Sequence, residues 1–531
     1  MDNKYIEPVM FDEAVYEDNS VLIKKICFWE NCSLWNDDET NLLKVLLPGG
    51  EYFNVNCIGT FALPDGTRAT EKEFSYIGSF HDGLAKIAIK DKGYGFIDKD
   101  MNIVITPKYK YANDFENGVA VVSILDEASN NKRFLLIDKN GNERFFEKEY
   151  KRIPVNSEGM FNNEGMFMVS DRGEIELAFF SDYEDNAGVW GYADSTGKEI
   201  VKPQYIFAFD FEKGLALVCK GEWTIDKKWD NECNTGKYWR ETELWGMIDK
   251  TGKEVVPFIF DEIKRYWINE SSEYLLAHYG GWYEGKWGII NYSGEWVVEP
   301  IFEDLGYEIY NDEYITFYNK DKWSDPDEIP MGIYSIKEHR VLFEPQFFDV
   351  SFIDDKTFIV EKYDDKSGRN KQIIIDINGK VLLDSQYADI YERDGMYEVS
   401  VLNANGKYLH GLLDKNFKEI LPCKYDTPFH GILIDQKRII YKENEKCGIK
   451  NFNDEIIISP EYTCIQCFCD IFYEVQIGGE EKLLNEGYVG LITLDGNTVL
   501  PIEYKRISRE KDIIIAENST GTTLFKIIKK G

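Results

Sequence analysis

A fourteen-residue phrase recurs along this chain of 531 residues, and it limits the possible folds more than any other feature. It reads FIDKDMNIVITPKY at Phe96–Tyr109, YADSTGKEIVKPQY at Tyr192–Tyr205 and MIDKTGKEVVPFIF at Met247–Phe260. It returns at Ile289–Phe302, Leu412–Tyr425, Ile449–Tyr462 and Leu491–Tyr504. Self-similarity at a period of about forty residues marks a repeat array, in which each unit buries its faces against its neighbours. Function is then to be sought where the repeat is broken.

The clearest unit, Gly83 to Gly118, explains the phrase through folding. Leu84–Ile89 alternates between faces and reads as a strand, and Tyr94–Ile97 follows after a polar turn. Ile103–Ile105 is a third strand, which Pro107 should stop because proline cannot donate to a ladder. The aromatic tail Tyr109–Phe115 is expected to be a short fourth edge or a loop. Glycine falls at one fixed place in the second turn (Gly66, Gly141, Gly197, Gly252, Gly294, Gly379, Gly496), as a tight hairpin needing positive φ requires. The acid in Ile-Asp (Asp98, Asp138, Asp249, Asp376) should open that turn by accepting backbone hydrogen bonds. No window carries a sustained helical period.

A second glycine, opening the second strand, sets the register at Gly59, Gly95, Gly191, Gly246, Gly288, Gly332, Gly411, Gly448 and Gly490. With two weaker units, at Leu136–Tyr150 and Ile374–Tyr387, it gives eleven units, and a twelfth half-unit in TGTTLFKIIKKG. Trp190-Gly191, Trp245-Gly246 and Trp287-Gly288, together with FEKGLALV and FENGVAVV, resemble bacterial WG-repeat (KWG-type) proteins over about residues 53–507. That resemblance implies a repeat scaffold, read as an interaction surface, and carries over no catalytic residue. The expected fold is all-β: tandem three- to four-stranded antiparallel meanders forming two β-propeller-like domains, with an open β-solenoid or superhelix as the alternative. The domains would be 53–305, with an insertion at 219–243, and 306–531, with residues 1–52 as an atypical N-terminal cap or closing strand.

A formal charge of −34 repels phosphate backbones and anionic lipid, which argues against nucleic-acid partners and membrane association. No apolar run approaches the roughly 18 residues needed to insert across a bilayer. The first residues carry no secretory pattern, and ten irregularly spaced Cys suit reduced thiols, so a cytoplasmic location is expected.

Ten of the twelve Trp lie between Trp190 and Trp323, many in stretches the repeat does not demand. The largest insertion, Cys219–Glu243, holds Trp223, Trp229 and Trp239, and HYGGWYEGKW adds Trp282 and Tyr283. Indoles and phenols on loops offer large contact area at low entropic cost, so these five residues are the candidate binding surface. The competing explanation is that they pack a long hairpin onto the scaffold. Cys464, Cys467 and Cys469 have one C-x-x-C spacing but no second pair, and in the repeat frame Cys467 and Cys469 fall where small buried residues belong, so buried, inert thiols are expected. The five His occupy different units outside any catalytic context, and acidic stretches such as Asp182–Asp185 and Asp321–Glu328 read as solvated turns. No catalytic residue, metal site or cofactor is assigned. The expected role is a non-catalytic scaffold for a protein or other macromolecular partner. The alternatives are a carbohydrate-binding or carbohydrate-active propeller protein, and a bacterial defence- or toxin-associated module.

Overall fold

The computed structural model describes residues 8–530 apart from 18–20, 31, 38, 41, 48–58, 127–130, 154–163, 172–186, 227–236, 265–271, 282–283, 320–328, 365–368, 384–386, 394, 430, 434, 469–470 and 479–486. Among the described residues there is no helix, and every strand pairing is antiparallel. The strands form eleven small sheets, most of them four-stranded meanders in chain order. One such sheet is built from Tyr76–His81, Leu84–Ile89, Gly93–Asp98 and Ile103–Tyr109.

The sheet is not the sequence repeat. The aromatic tail of each repeat is the first strand of the following sheet: Tyr111–Ala112 pairs with Val119–Asp126, not with the strand that ends at Tyr109. A single residue often separates one sheet from the next, as at Asp261, Glu303 and Thr463. In one case nothing does, because Glu199–Glu212 runs unbroken from one repeat into the next and joins two repeats in a six-stranded sheet. Cores lie between consecutive sheets. Phe96, Ile105 and Tyr109 of one pack with Phe115, Val122 and Leu135 of the next, so a repeat cut out alone would leave both faces wet.

The strand ending in proline does not stop there. Ile103–Tyr109 continues through Pro107, because the proline sits in a bulge where no ladder hydrogen bond is asked of it. The same bulge recurs wherever the phrase is intact. Trp190 lies across from Tyr205 and Tyr192 from Val201, so the one residue Gly191 faces the three residues Lys202, Pro203 and Gln204. The bulged backbone passes over the glycine: a Cβ at Gly191 would lie 2.3 Å from the Val201 carbonyl oxygen and 2.6 Å from the Pro203 nitrogen. Glycine, proline and closing aromatic are thus parts of one device.

Turn chemistry follows the expected lines. Asp98 Oδ1 accepts from the backbone N–H of Asp100 at 3.0 Å and of Asn102 at 2.8 Å, and Asp138, Asp194, Asp249, Asp376 and Asp414 repeat the pattern. The left-handed position of this turn holds glycine in most repeats, but Met101, Phe417 and Asp454 occupy it with φ of 64°, 63° and 66°. A latch then ties some sheets to the next. The Tyr109 hydroxyl donates to Glu143 at 2.9 Å and Tyr150 to Glu199 at 3.1 Å, each carboxylate lying just past the following repeat's turn.

The chain falls into two compact units. One comprises residues 35–63 and 68–308; the other comprises 1–34, 64–67 and 309–531. Within the second, Val21–Glu30 pairs along its length with Gly521–Lys529, in a five-stranded sheet that also holds Val9–Glu17. Trp29, fully buried, donates its indole N–H to the Gly66 carbonyl at 2.9 Å, and Thr522 Oγ1 donates to the Cys32 carbonyl at 2.7 Å. The expectation of two propeller-like domains of six repeats each is corrected, because eleven sheets are described. Early strands from within residues 1–52 join the last repeat's sheet, where the final strand, Gly521–Lys529, needs a neighbour on its open edge.

Candidate contact surface

The insertion read as 219–243 is largely strand. Leu215–Asp226 and Lys237–Asp249 pair from Leu215↔Asp249 to Asp226↔Lys237, with one register shift between Lys220 and Glu222. These strands have 12 and 13 residues, where the corresponding pair Leu84–Ile89 and Gly93–Asp98 has 6 and 6. The added residues include Trp, Thr, Ile and Tyr, which suit a pleated surface and keep the ladder going. Trp223 lies across from Arg240, and Trp239 from Thr224, so positions 223 and 239 are offset by one along the ladder. Trp229, Trp282 and Tyr283 lie outside the described residues.

The base of the hairpin is better defined. Lys220 and Leu244 are directly opposed, and Leu244 is 40% exposed. The Lys220 ammonium sits 3.5 Å from the centre of the Phe258 ring, which stacks on Tyr205 at 5.8 Å and 12°. Glu254 approaches Lys220 at 3.6 Å. Burial, with Glu254 nearby, pushes the Tyr205 phenol up to about 12. In the neighbouring sheet Tyr279, 45% exposed, rests edge-on against Trp296 at 6.2 Å, and Trp296 against buried Phe260 at 5.5 Å.

The turn that follows Tyr279 is tied down at its start. Asp261 Oδ2 accepts from the Gly281 N–H at 2.8 Å and lies 3.2 Å from His278 Nδ1, while the His278 ring packs on Trp287. Tyr279↔Lys286 closes the ladder beneath it, and the Gly285 N–H donates to the Gly281 carbonyl at 2.7 Å. Exposed aromatic and aliphatic groups beside a lysine seated on an aromatic ring make a surface suited to packing against another protein.

The other expected sites fare differently. Trp190, Trp245 and Trp287, the indoles of the repeat itself, are core residues. His410 stands in the same register position, across from Tyr425, and is buried against Glu398. Cys467 is exposed and Cys464 half-buried, contrary to the expectation of buried thiols, because Ile465 takes the inward position of Cys464–Phe468. Cys469 and the acidic stretches 182–185 and 321–328 lie outside the described residues. Among the described residues no three His, Cys, Asp or Glu gather closely enough to hold a metal ion. The Lys220–Phe258–Tyr205 stack was missed by sequence reading, since its members come from three strands.

Four stretches, 94–126, 190–229, 245–270 and 287–323, match the model of the WG containing repeat. No curated protein matches the chain. Among solved structures, a eukaryotic initiation factor is similar at 10% identity and a TM-score of 0.28, over 75% of this chain and 97% of its own. The tricorn protease is similar at 11% and 0.24, over 97% and 57%. An uncharacterized protein of Listeria monocytogenes EGD-e is similar at 12% and 0.23, over 59% and 84%. Superpositions this loose carry no functional argument.

Proposed function

We propose that the chain is a non-catalytic repeat scaffold that docks a protein partner through the long hairpin Leu215–Asp226/Lys237–Asp249 and the adjoining turn after Tyr279. One observation carries this reading: a ladder twice the usual length, which the repeat does not need, standing beside exposed Leu244 and Tyr279. Hairpin extensions and rim turns are where repeat proteins place their contacts, because the stacked units already fix the backbone there.

The test uses the full chain with residues 227–236 replaced by Asn-Gly, which closes the register at Asp226↔Lys237, and separately the pair Leu244→Lys/Tyr279→Ser. Proteins crosslinked to the parent chain in its native cells should be lost from both variants, with unfolding midpoints unchanged. Retention of the same proteins by both variants overturns the docking surface. Turnover of a glycan, abolished by a single Asp or Glu substitution, overturns the scaffold reading in favour of a carbohydrate-active protein.

A further inference from the structure

A cleft of about 510 Å³ opens between two consecutive sheets of the second compact unit, far along the sequence from the hairpin. Its walls are the end of Glu419–Tyr425 with the segment that follows, and the hairpin Arg438–Glu443/Lys446–Asn451. Four lysines line it, Lys407, Lys424, Lys442 and Lys450, in a chain whose overall charge is −34. A concentration of ammonium groups in such a chain has a local cause or a local use.

The arrangement sorts by depth. Lys442 and Lys450 keep only 11% and 15% of their side chains exposed, and Lys450 lies over the rings of Tyr441 and Tyr425 at 4.5 and 5.2 Å. Two further lining residues carry hydroxyls, Tyr441 and Thr427, whose oxygens are buried and meet no hydrogen-bond partner among the described residues, with Tyr441 as a whole 2% exposed. The adjacent Asp454 carboxylate is occupied, accepting from Lys424, Tyr425 and Lys450. The lining carboxylates Asp426, Glu443 and Glu445 are exposed at the rim, where Asp426 pairs with Lys407 and Glu445 with Lys442. Such rim pairs are screened and readily exchanged.

The floor is therefore rich in donors, while the rim mixes exposed carboxylates with the exposed ammonium groups of Lys407 and Lys424. Leaving a buried hydroxyl without a partner costs about 1–3 kcal/mol, so two such hydroxyls on residues lining one cleft mark a position that a hydrogen-bonding ligand can fill. A group that accepts several hydrogen bonds and can displace exposed Asp426 and Glu445 from their lysines fits there, which describes a tetrahedral oxyanion. The rim carboxylates suit the hydroxyls of whatever carries that oxyanion outward, and the volume lies in the range of small-molecule sites. We infer that this cleft binds a phosphorylated polyol, with its phosphate on Lys442, Lys450, Tyr441 and Thr427 and its hydroxyls on the acidic rim.

Calorimetric titration of the full chain with glucose 6-phosphate, inorganic phosphate and glucose tests this. Saturable binding is expected for the first, at least about tenfold weaker binding for phosphate alone, and none for glucose. Tyr441→Phe should lower glucose 6-phosphate affinity about tenfold or more with an unfolding midpoint equal to or above that of the parent, because the hydroxyl removed has no partner in the unliganded protein. Lys442→Met is the second arm, expected to lower affinity to a similar degree. Absence of saturable binding, glucose binding as tightly as its phosphate, or affinity unchanged in both variants overturns the proposal.

Discussion

At the residue scale, the phrase is explained by two close fits. The glycine of Trp-Gly exists because the partner strand bulges over it, and the proline exists because a bulge asks for no N–H there. Gly191→Ala should therefore destabilise by about 2–3 kcal/mol, as an overpacked site does. Gly395→Ala meets open space and should lose only about 1 kcal/mol, for its φ of +79°. Urea midpoints order the two, and equal losses would contradict the bulge. Asp454 supplies a second case. Burial pushes its carboxyl up, but hydrogen bonds from Lys424, Tyr425 and Lys450 together bring it down to about 2 from 3.8. A depressed carboxylate stabilises fully above its unfolded value and loses that contribution as pH falls through its folded value. The stability gap between the parent and Asp454→Asn should hold steady above about pH 4 and close by about pH 2, read by denaturant unfolding at each pH. The turn aspartates and glycines were legible in the sequence because each acts within five residues. The bulge was not, because it shows only in the register between strands, and Pro107 alone reads as a stop.

Among the elements, the offset between repeat and sheet governs behaviour. The tail that looked like a loose edge is the first strand of the next sheet, so the repeat boundary in sequence falls inside a hydrogen-bonded unit of structure. Periodicity alone cannot reveal this, since any starting point gives the same period. The hairpin at 215–249 was legible only as an interruption: its tryptophans marked the place, but its being ladder and not loop depended on pairing between residues on either side of 227–236. The lysine cleft left almost no trace, because its lining residues come from two repeats and each alone looks like ordinary strand or turn polarity. One prediction belongs here. The Tyr109→Phe variant cuts the latch to Glu143 while leaving Lys108 on the same carboxylate, and should cost about 1 kcal/mol by denaturant midpoint. No change would mean that the latch follows from sheet packing and does not support it.

For the whole molecule, what matters most is that early and late residues share one sheet. The off-pattern N-terminal stretch was visible in the sequence as a cap or closing strand, but not which of the two, nor the register of its pairing, which spans nearly the whole chain. Cys32 and Thr522, hydrogen-bonded to each other, are 490 positions apart. Trp29→Ala should cost about 3–5 kcal/mol, as loss of a fully buried indole does, and should lower protection from hydrogen exchange in Gly521–Lys529 first. Uniform loss of protection across all sheets would instead mean that the terminal sheet is no weaker than the rest.

That shared sheet also sets a clock for synthesis. A ribosome adds about 5–20 residues per second, so the strand Val21–Glu30 waits on the order of 25–100 s before the strand it pairs with has been made. Throughout that interval Ile23, Cys27 and Trp29, all without exposure in the finished protein, have the hairpin with Val9–Glu17 and the Gly66 turn to lie against but lack the strand that completes their cover. Each nascent chain thus carries an open strand edge for most of its birth, and neighbouring chains on one polysome present identical edges at the same moment. Yield in the cell should then depend on how crowded the message is with ribosomes, and on whatever holds that edge, more than on the stability of the completed fold.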